Sequence, residues 1–278
     1  MSASVPAAAG LTAPSPLRVW LLLTRESLAD AMRRRIVPLI AAMALLSLFL
    51  VDNCTGCSPA IEVQGQAVAG GEVAGVLAVS LLVVLGLWTL VLAGVLASDH
   101  LTEPLADGSA TLVLSRPVSR ASFALSRLAG VLLLSFATGA LLLLAAAVLL
   151  SQRQGLAVAP ALAALGACLA GCVTVGGLAM LASLLLPRVA AALLVFGFVW
   201  GIGVVNAAGC SGAQLEGLLG AIHRLGPPLA SSMILALAAW VEPLVPLGDA
   251  ADVALRSAVW AGASATLLVL GFRRRELS

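Results

Sequence analysis

The run Val73-Ala-Gly-Val-Leu-Ala-Val-Ser-Leu-Leu-Val-Val-Leu-Gly-Leu-Trp-Thr-Leu-Val-Leu-Ala-Gly-Val-Leu-Ala-Ser98 holds 26 consecutive residues without a charge. A helix needs about 20 apolar residues to cross the hydrocarbon core of a bilayer, so this one stretch points to a membrane-spanning chain. The composition agrees. Of 278 residues 61% are hydrophobic and 10% charged, with a mean hydropathy of +1.11, whereas a water-soluble domain carries roughly 25% charged residues. All 15 basic side chains are arginine. The absence of lysine excludes a Schiff-base nucleophile and the lysine-containing phosphate loop of ATP-binding proteins.

Working outward from residues 73–98, further charge-free gaps occur at 36–51, 128–152, 154–187, 189–215 and 257–272. The first and last are short, but Arg33 to Arg35 and Arg273 to Arg275 border them and can snorkel to the interface. Leu186-Pro187-Arg188 divides the fourth gap from the fifth as a tight turn in an antiparallel hairpin. Glycines within the spans, including Gly86, Gly94, Gly171, Gly176, Gly177 and Gly203, suit close helix contact in lipid. The reading is an all-α integral membrane protein with six transmembrane helices.

A seventh gap, 225–241, is flanked by Pro227-Pro228 and Glu242-Pro243. If it spanned, Arg273-Arg274-Arg275 would emerge opposite Arg33-Arg34-Arg35, against the positive-inside rule. Residues 212–250 are therefore expected to form an external segment with a re-entrant or interfacial helical piece. With six spans, 12 of the 15 arginines fall on one side, leaving Arg153, Arg224 and Arg256 on the other. That bias sets both termini in the cytoplasm and the chain in the inner (plasma) membrane.

Residues 1–16 lack charge and periodicity, which predicts a disordered tail. They do not read as a signal peptide, because five arginines precede the first span. Over 17–35, Leu17, Trp20, Leu21, Leu28, Ala31 and Met32 share one face at helical spacing, opposite Arg18, Arg25, Glu26, Asp30, Arg33 and Arg34. This predicts an amphipathic helix on the inner leaflet; packing on a soluble partner is the other reading. The loop from Asp99 to Arg120 begins acidic, with Asp99, Glu103 and Asp107, and ends basic, with Arg116 and Arg120. Gly108 permits a left-handed turn, Pro117 fixes the chain before the next helix, and 110–114 is an apolar piece too short to span. So long and patterned a loop between adjacent spans predicts a docking surface.

The stretch Gly108-Ser-Ala-Thr-Leu-Val-Leu-Ser-Arg-Pro-Val-Ser-Arg120, followed by Phe123-Ala-Leu-Ser-Arg127, resembles the signature loop of ABC-2 type permeases. In that family Gly-Thr-Leu-x-x-Leu-Leu-Ser-x-Pro-Val-Ser-Arg precedes Gly-Lys at the start of the third helix. Ser109 keeps the hydroxyl and Ser126-Arg127 keeps the charge, while Ala110 and Val113 depart from leucine. Within the family the chain is similar to permeases linked to copper-enzyme maturation, such as that of nitrous-oxide reductase. The resemblance implies a six-span permease domain over 36–272 and a basic cytoplasmic stub at 273–278. It further implies a homodimer or a paired permease, a cognate ABC ATPase subunit that performs all hydrolysis, no cofactor and no nucleic-acid partner. The loop between the second and third spans would be the coupling helix, with Glu103, Asp107, Gly108, Arg116, Pro117 and Arg120 at the ATPase contact. The competing role for these residues is to cap helix ends and anchor to lipid headgroups.

Cys54 and Cys57 form a C-x-x-C outside the first span, and Cys210 lies near the outer end of the fifth. A disulfide between Cys54 and Cys57, or of either with Cys210, is one reading; a redox or metal-handling protein built on the three is the alternative function. A metal site would want further ligands, and no histidine or methionine accompanies the pair. Cys168 and Cys172, at i and i+4, read as packing residues. His100 and His223 fall on opposite sides and cannot meet. Ser211 lacks an intramembrane base to activate it, and Asn206 reads as a cross-helix hydrogen bonder. Without an internal charge in any gap, a lipidic or peptide cargo, or mechanical transmission to an outer partner, is as plausible as an ion.

Overall fold

A computed structural model describes residues 15–33, 42, 45, 46, 49, 62, 63, 66, 67, 70–106, 108, 113, 115, 118–210, 212, 214–240 and 247–274. The elements are α1 (Pro16–Arg33), a two-residue antiparallel ladder of β1 (Glu62–Val63) and β2 (Gln66–Ala67), α2 (Gly70–Ala106), α3 (Arg120–Gln154), α4 (Ala159–Ser183), α5 (Arg188–Cys210), α6 (Gly217–Leu225), α7 (Leu229–Leu237), which continues as a 3₁₀ turn over Ala238–Trp240, and α8 (Leu247–Arg274). Five of these, α2, α3, α4, α5 and α8, are long and apolar enough to cross a membrane. The span expected at 36–51 lies outside the described residues, except that 42, 45, 46 and 49 are helical.

The charge-free gaps understate the helices. α2 continues through Asp99 and Glu103, α3 opens at Arg120 rather than near 128, and α8 opens at Leu247 and runs through Asp252 and Arg256. A charge beyond the hydrocarbon does not end a helix, because the backbone hydrogen bonds continue into the interface. What ends these helices is local chemistry. Ser119 caps α3, its Oγ accepting from the Ser122 N–H at 3.1 Å, and Gly155 closes it in the left-handed conformation at φ 68°. α4 begins with Pro160 in its first turn, where no donor is needed.

The centre of the bundle is α4, against which α2, α3, α5, α7 and α8 all pack. Its sequence is rich in Ala, Gly, Cys and Thr, and Ala161, Ala164, Cys168, Gly171, Cys172, Val175, Gly176 and Ala179 are buried. In lipid no hydrophobic effect presses helices together, so the contact rests on close packing of small residues. At Gly177 a Cβ would stand 3.0 Å from the Ser264 Oγ and 3.2 Å from the Ser264 carbonyl carbon. There α4 and α8 touch backbone to backbone, and Ser264 Oγ donates to the Val173 carbonyl at 3.3 Å. Cys168 and Cys172 are buried packing residues of the same helix, as expected.

α6 and α7 form the piece that the sequence marked as external. Between them, Pro227 and Pro228 are buried, and the Pro227 carbonyl accepts from Asn206 Nδ2 at 3.0 Å and from the Leu229 N–H at 2.9 Å. Leu229 reaches Gly171, halfway along α4, and the Met233 thioether fills the space beside Gly86 of α2. The chain then returns: Trp240 Nε1 donates to the Ala157 carbonyl in the link between α3 and α4, at 2.8 Å. This pair enters the bundle and leaves it at the same end. Enclosure by α2, α4, α5 and α8 satisfies the requirement that irregular backbone at membrane depth be covered by protein.

The close approach at Gly177 sets a test with an internal control. Gly177→Val should destabilise the protein by about 1–3 kcal/mol through overpacking. Gly166→Ala, where a Cβ meets nothing within 4 Å, should be neutral or slightly stabilising by helix propensity. Thermal unfolding of the two variants in one detergent separates them; equal effects would contradict the described crossing.

Candidate functional site

One end of the bundle gathers most of the described arginines. α3 and α5 begin there, α2, α4 and α8 finish there, and α1 packs against the first turns of α3. The connection between α2 and α3, residues 107–119, is rooted in this end.

Its first root is the last part of α2. Asp99, expected to open the loop, lies instead on the helix, and its side chain is only 4% exposed. Arg188, the first residue of α5, donates from Nη2 to Asp99 Oδ2 at 2.5 Å. The guanidinium is 67% exposed, so the pair brings a buried carboxylate to a cation that keeps most of its hydration. A helix N-terminus favours anions; Arg188 gains from Asp99 what its own helix does not give. Ser98, His100 and Leu101 beside this pair are also buried. Asp99 stands one residue past the charge-free gap 73–98 and inside the candidate span Gly75–Thr102, so a buried acid closes the apolar run.

The second root is the start of α3. Arg127, with a side chain 7% exposed, pairs with Asp30 of α1 at 3.8 Å and lies over the Phe123 ring at 5.3 Å. Phe123 stacks on Phe272 of α8 with ring centroids 6.0 Å apart. Ser27 Oγ of α1 donates to the Arg127 carbonyl at 3.4 Å, next to Gly130, whose missing side chain lets α1 approach. Arg120 Nη1 donates to the Arg273 carbonyl near the C-terminus of α8 at 3.3 Å. Cation, ring and ring thus link α1, α3 and α8 in one chain of contacts. The face of α1 that meets α3 is its Thr24 and Ser27 side, while Leu17, Leu21, Leu22 and Met32 are exposed, as an interfacial helix requires.

The residues singled out in the sequence divide as follows. Gly108 takes the left-handed conformation at φ 77°. Arg120 engages α8, and Val113 is half-buried against the core. Glu103 is on α2 with its side chain outside the described residues, and Asp107, Arg116 and Pro117 lie outside them entirely. Cys54, Cys57 and Ser211 are outside them too, whereas Cys210 is an exposed free thiol at the far end of α5. Among the described residues no group of three His, Cys, Asp or Glu side chains could hold a metal. His100 on α2 and His223 on α6 are at opposite ends, as expected. Asn206 makes the cross-element bond foreseen for it. Sequence reading missed the Asp99–Arg188 and Asp30–Arg127 pairs: their members are 89 and 97 residues apart, and no local pattern couples them. Compared with models of known protein families and with characterised proteins, the chain matches none.

Removing one partner of a buried pair costs more than the pair is worth. Arg188→Ala should therefore lower stability by about 1–3 kcal/mol, and Asp99→Asn by less. Combining them should cost less than the sum by roughly 0.5–3 kcal/mol, the coupling of contacting residues. Unfolding of the two single mutants and the double mutant in detergent measures it; strict additivity would dissolve the pair.

Proposed function

We propose that the chain is the transmembrane permease subunit of an ABC-2 type exporter. It spans the plasma membrane six times with both termini in the cytoplasm, pairs with a second permease, and couples to a separate ATPase through residues 107–119. The observation that carries this reading is the fastening of both roots of that connection. Asp99 ties its α2 root to α5, and Arg127, Phe123 and Arg120 tie its α3 root to α1 and α8. A displacement imposed on the connection therefore reaches three other elements, α1, α5 and α8, through packed and charged contacts, which is the mechanical requirement for a lever driven from outside the membrane.

Three further features support it. The arginine-rich end is the one that carries the connection, as the positive-inside rule asks of a cytoplasmic face. α1 packs at that end and α2 begins at the other, in keeping with a sixth span over 36–51. The loop residues from Gly108 to Arg120 keep the spacing of glycine, leucine, proline and arginine that the family uses. In this reading hydrolysis belongs to the partner ATPase, and the part of the connection is to be moved.

The decisive experiment replaces 107–119 by a flexible Gly-Ser linker of equal length. The variant should insert normally and lose the cognate ATPase on co-purification, with any transport-stimulated hydrolysis reduced about tenfold or more, the loss of roughly 1.4 kcal/mol of coupling. Undiminished stimulation, or native assemblies lacking any nucleotide-hydrolysing companion, would refute the reading.

A further inference from the structure

At the end opposite the arginine cluster, α6 frames an open cleft of about 540 Å³ lined by Leu215, Glu216, Gly217, Gly220, Ala221, Arg224 and Leu225. That volume lies within the ~300–1,000 Å³ usual for small-molecule sites. Its lining is apolar apart from one acid and one base, and neither charged side chain has a hydrogen bond or ion pair among the described residues. Glu216 stands at the N-cap of α6 yet its side chain makes no capping bond. Arg224 lies in the last turn of α6, where a cation can serve the helix carbonyls, but Arg256 already donates to the His223 and Arg224 carbonyls at 2.9 Å each. Eight residues separate Glu216 from Arg224, roughly 12 Å along a helix, which is too far for them to pair with each other.

The same helix presents Leu218, 76% exposed, and Leu225, 75% exposed, a large apolar surface for so short an element. Trp260 Nε1 donates to the Leu225 carbonyl at 2.9 Å, and Trp240 anchors the return of α7 at the same end. Indoles with one polar handle favour the headgroup level of a bilayer. The cleft thus stands at the interface, where its apolar floor meets acyl chains and its two charges meet headgroups.

We propose that this cleft binds one zwitterionic phospholipid with a primary ammonium headgroup, its phosphate on Arg224, its ammonium on Glu216 and its upper acyl chain along Leu215, Ala221 and Leu225. The two unlike charges at the ends of one apolar cleft match the phosphate and ammonium of such a headgroup. An anionic lipid would satisfy Arg224 and be repelled by Glu216. The site does not rest on the permease reading, since it involves neither the loop nor a motor.

The full chain reconstituted in vesicles of phosphatidylethanolamine and phosphatidylglycerol in equal parts, then extracted in mild detergent, provides the test by mass spectrometry of the lipid that stays bound. Wild type should retain phosphatidylethanolamine in preference to phosphatidylglycerol. Glu216→Gln should abolish that preference, and Arg224→Gln should reduce retention of both lipids about tenfold, the loss of one charge-assisted contact. Glu216→Asp and Arg224→Lys, which keep each charge, should behave like wild type and rule out misfolding as the cause. Equal retention of both lipids by wild type, retention unchanged in both Gln variants, or a bound peptide in place of lipid would each overturn the proposal.

Discussion

Close contact between backbones around α4 is the constraint on which this structure depends. In water an amphipathic face would supply the drive for association; in hydrocarbon the helices gain little by exchanging lipid for leucine. What remains is dispersion and the hydrogen bonds that close approach permits. Gly171, Gly176 and Gly177 let Leu90, Leu128 and Ser264 lie against the α4 backbone, and the serine then donates across the gap. Larger residues at those sites would push apart the helices that enclose Pro227 and Pro228, and the irregular turn between α6 and α7 would lose its cover.

Small buried hydroxyls such as Thr89 and Thr174 bond back to their own helix, whereas three larger polar groups in this interior each join two elements. Asn206 joins α5 to the proline turn, Trp240 joins the 3₁₀ turn to the α3–α4 link, and Asp99 joins α2 to α5. Unpaired, any of them would carry a desolvation cost of several kcal/mol at membrane depth. Paired, they fix which helices are neighbours, a specificity that apolar side chains alone do not provide.

The membrane class, the hairpin turn at Pro187 and the break of the chain at Pro227-Pro228 were legible because each follows from one-dimensional quantities: charge-free length and proline position. The helix boundaries were less so. Counting uncharged residues marks the apolar stretch, but α2, α3 and α8 run on past it, through Glu103, Arg120 and Asp252, because a charge does not interrupt the backbone hydrogen bonds. The arginine-rich end was half legible. Gly108 and Arg120 stood out by pattern, yet the contacts that fasten the connection depend on Arg188, Asp30 and Phe272, whose partners are remote in sequence. The amphipathic character of α1 was legible as well. Its leucines mark the side turned away from the bundle, and two small hydroxyl residues make the protein contact.

The two helices that carry the α2–α3 connection are 37 and 35 residues long. At 1.5 Å per residue each measures roughly 50–55 Å, against about 30 Å of hydrocarbon. Even when tilted, each is longer than the hydrocarbon is thick, so part of each helix lies beyond it. In the permease reading proposed above, that surplus length holds the connection clear of the headgroups, in reach of a soluble partner. In that reading, thrust or torque received there travels along the two helices into the bundle.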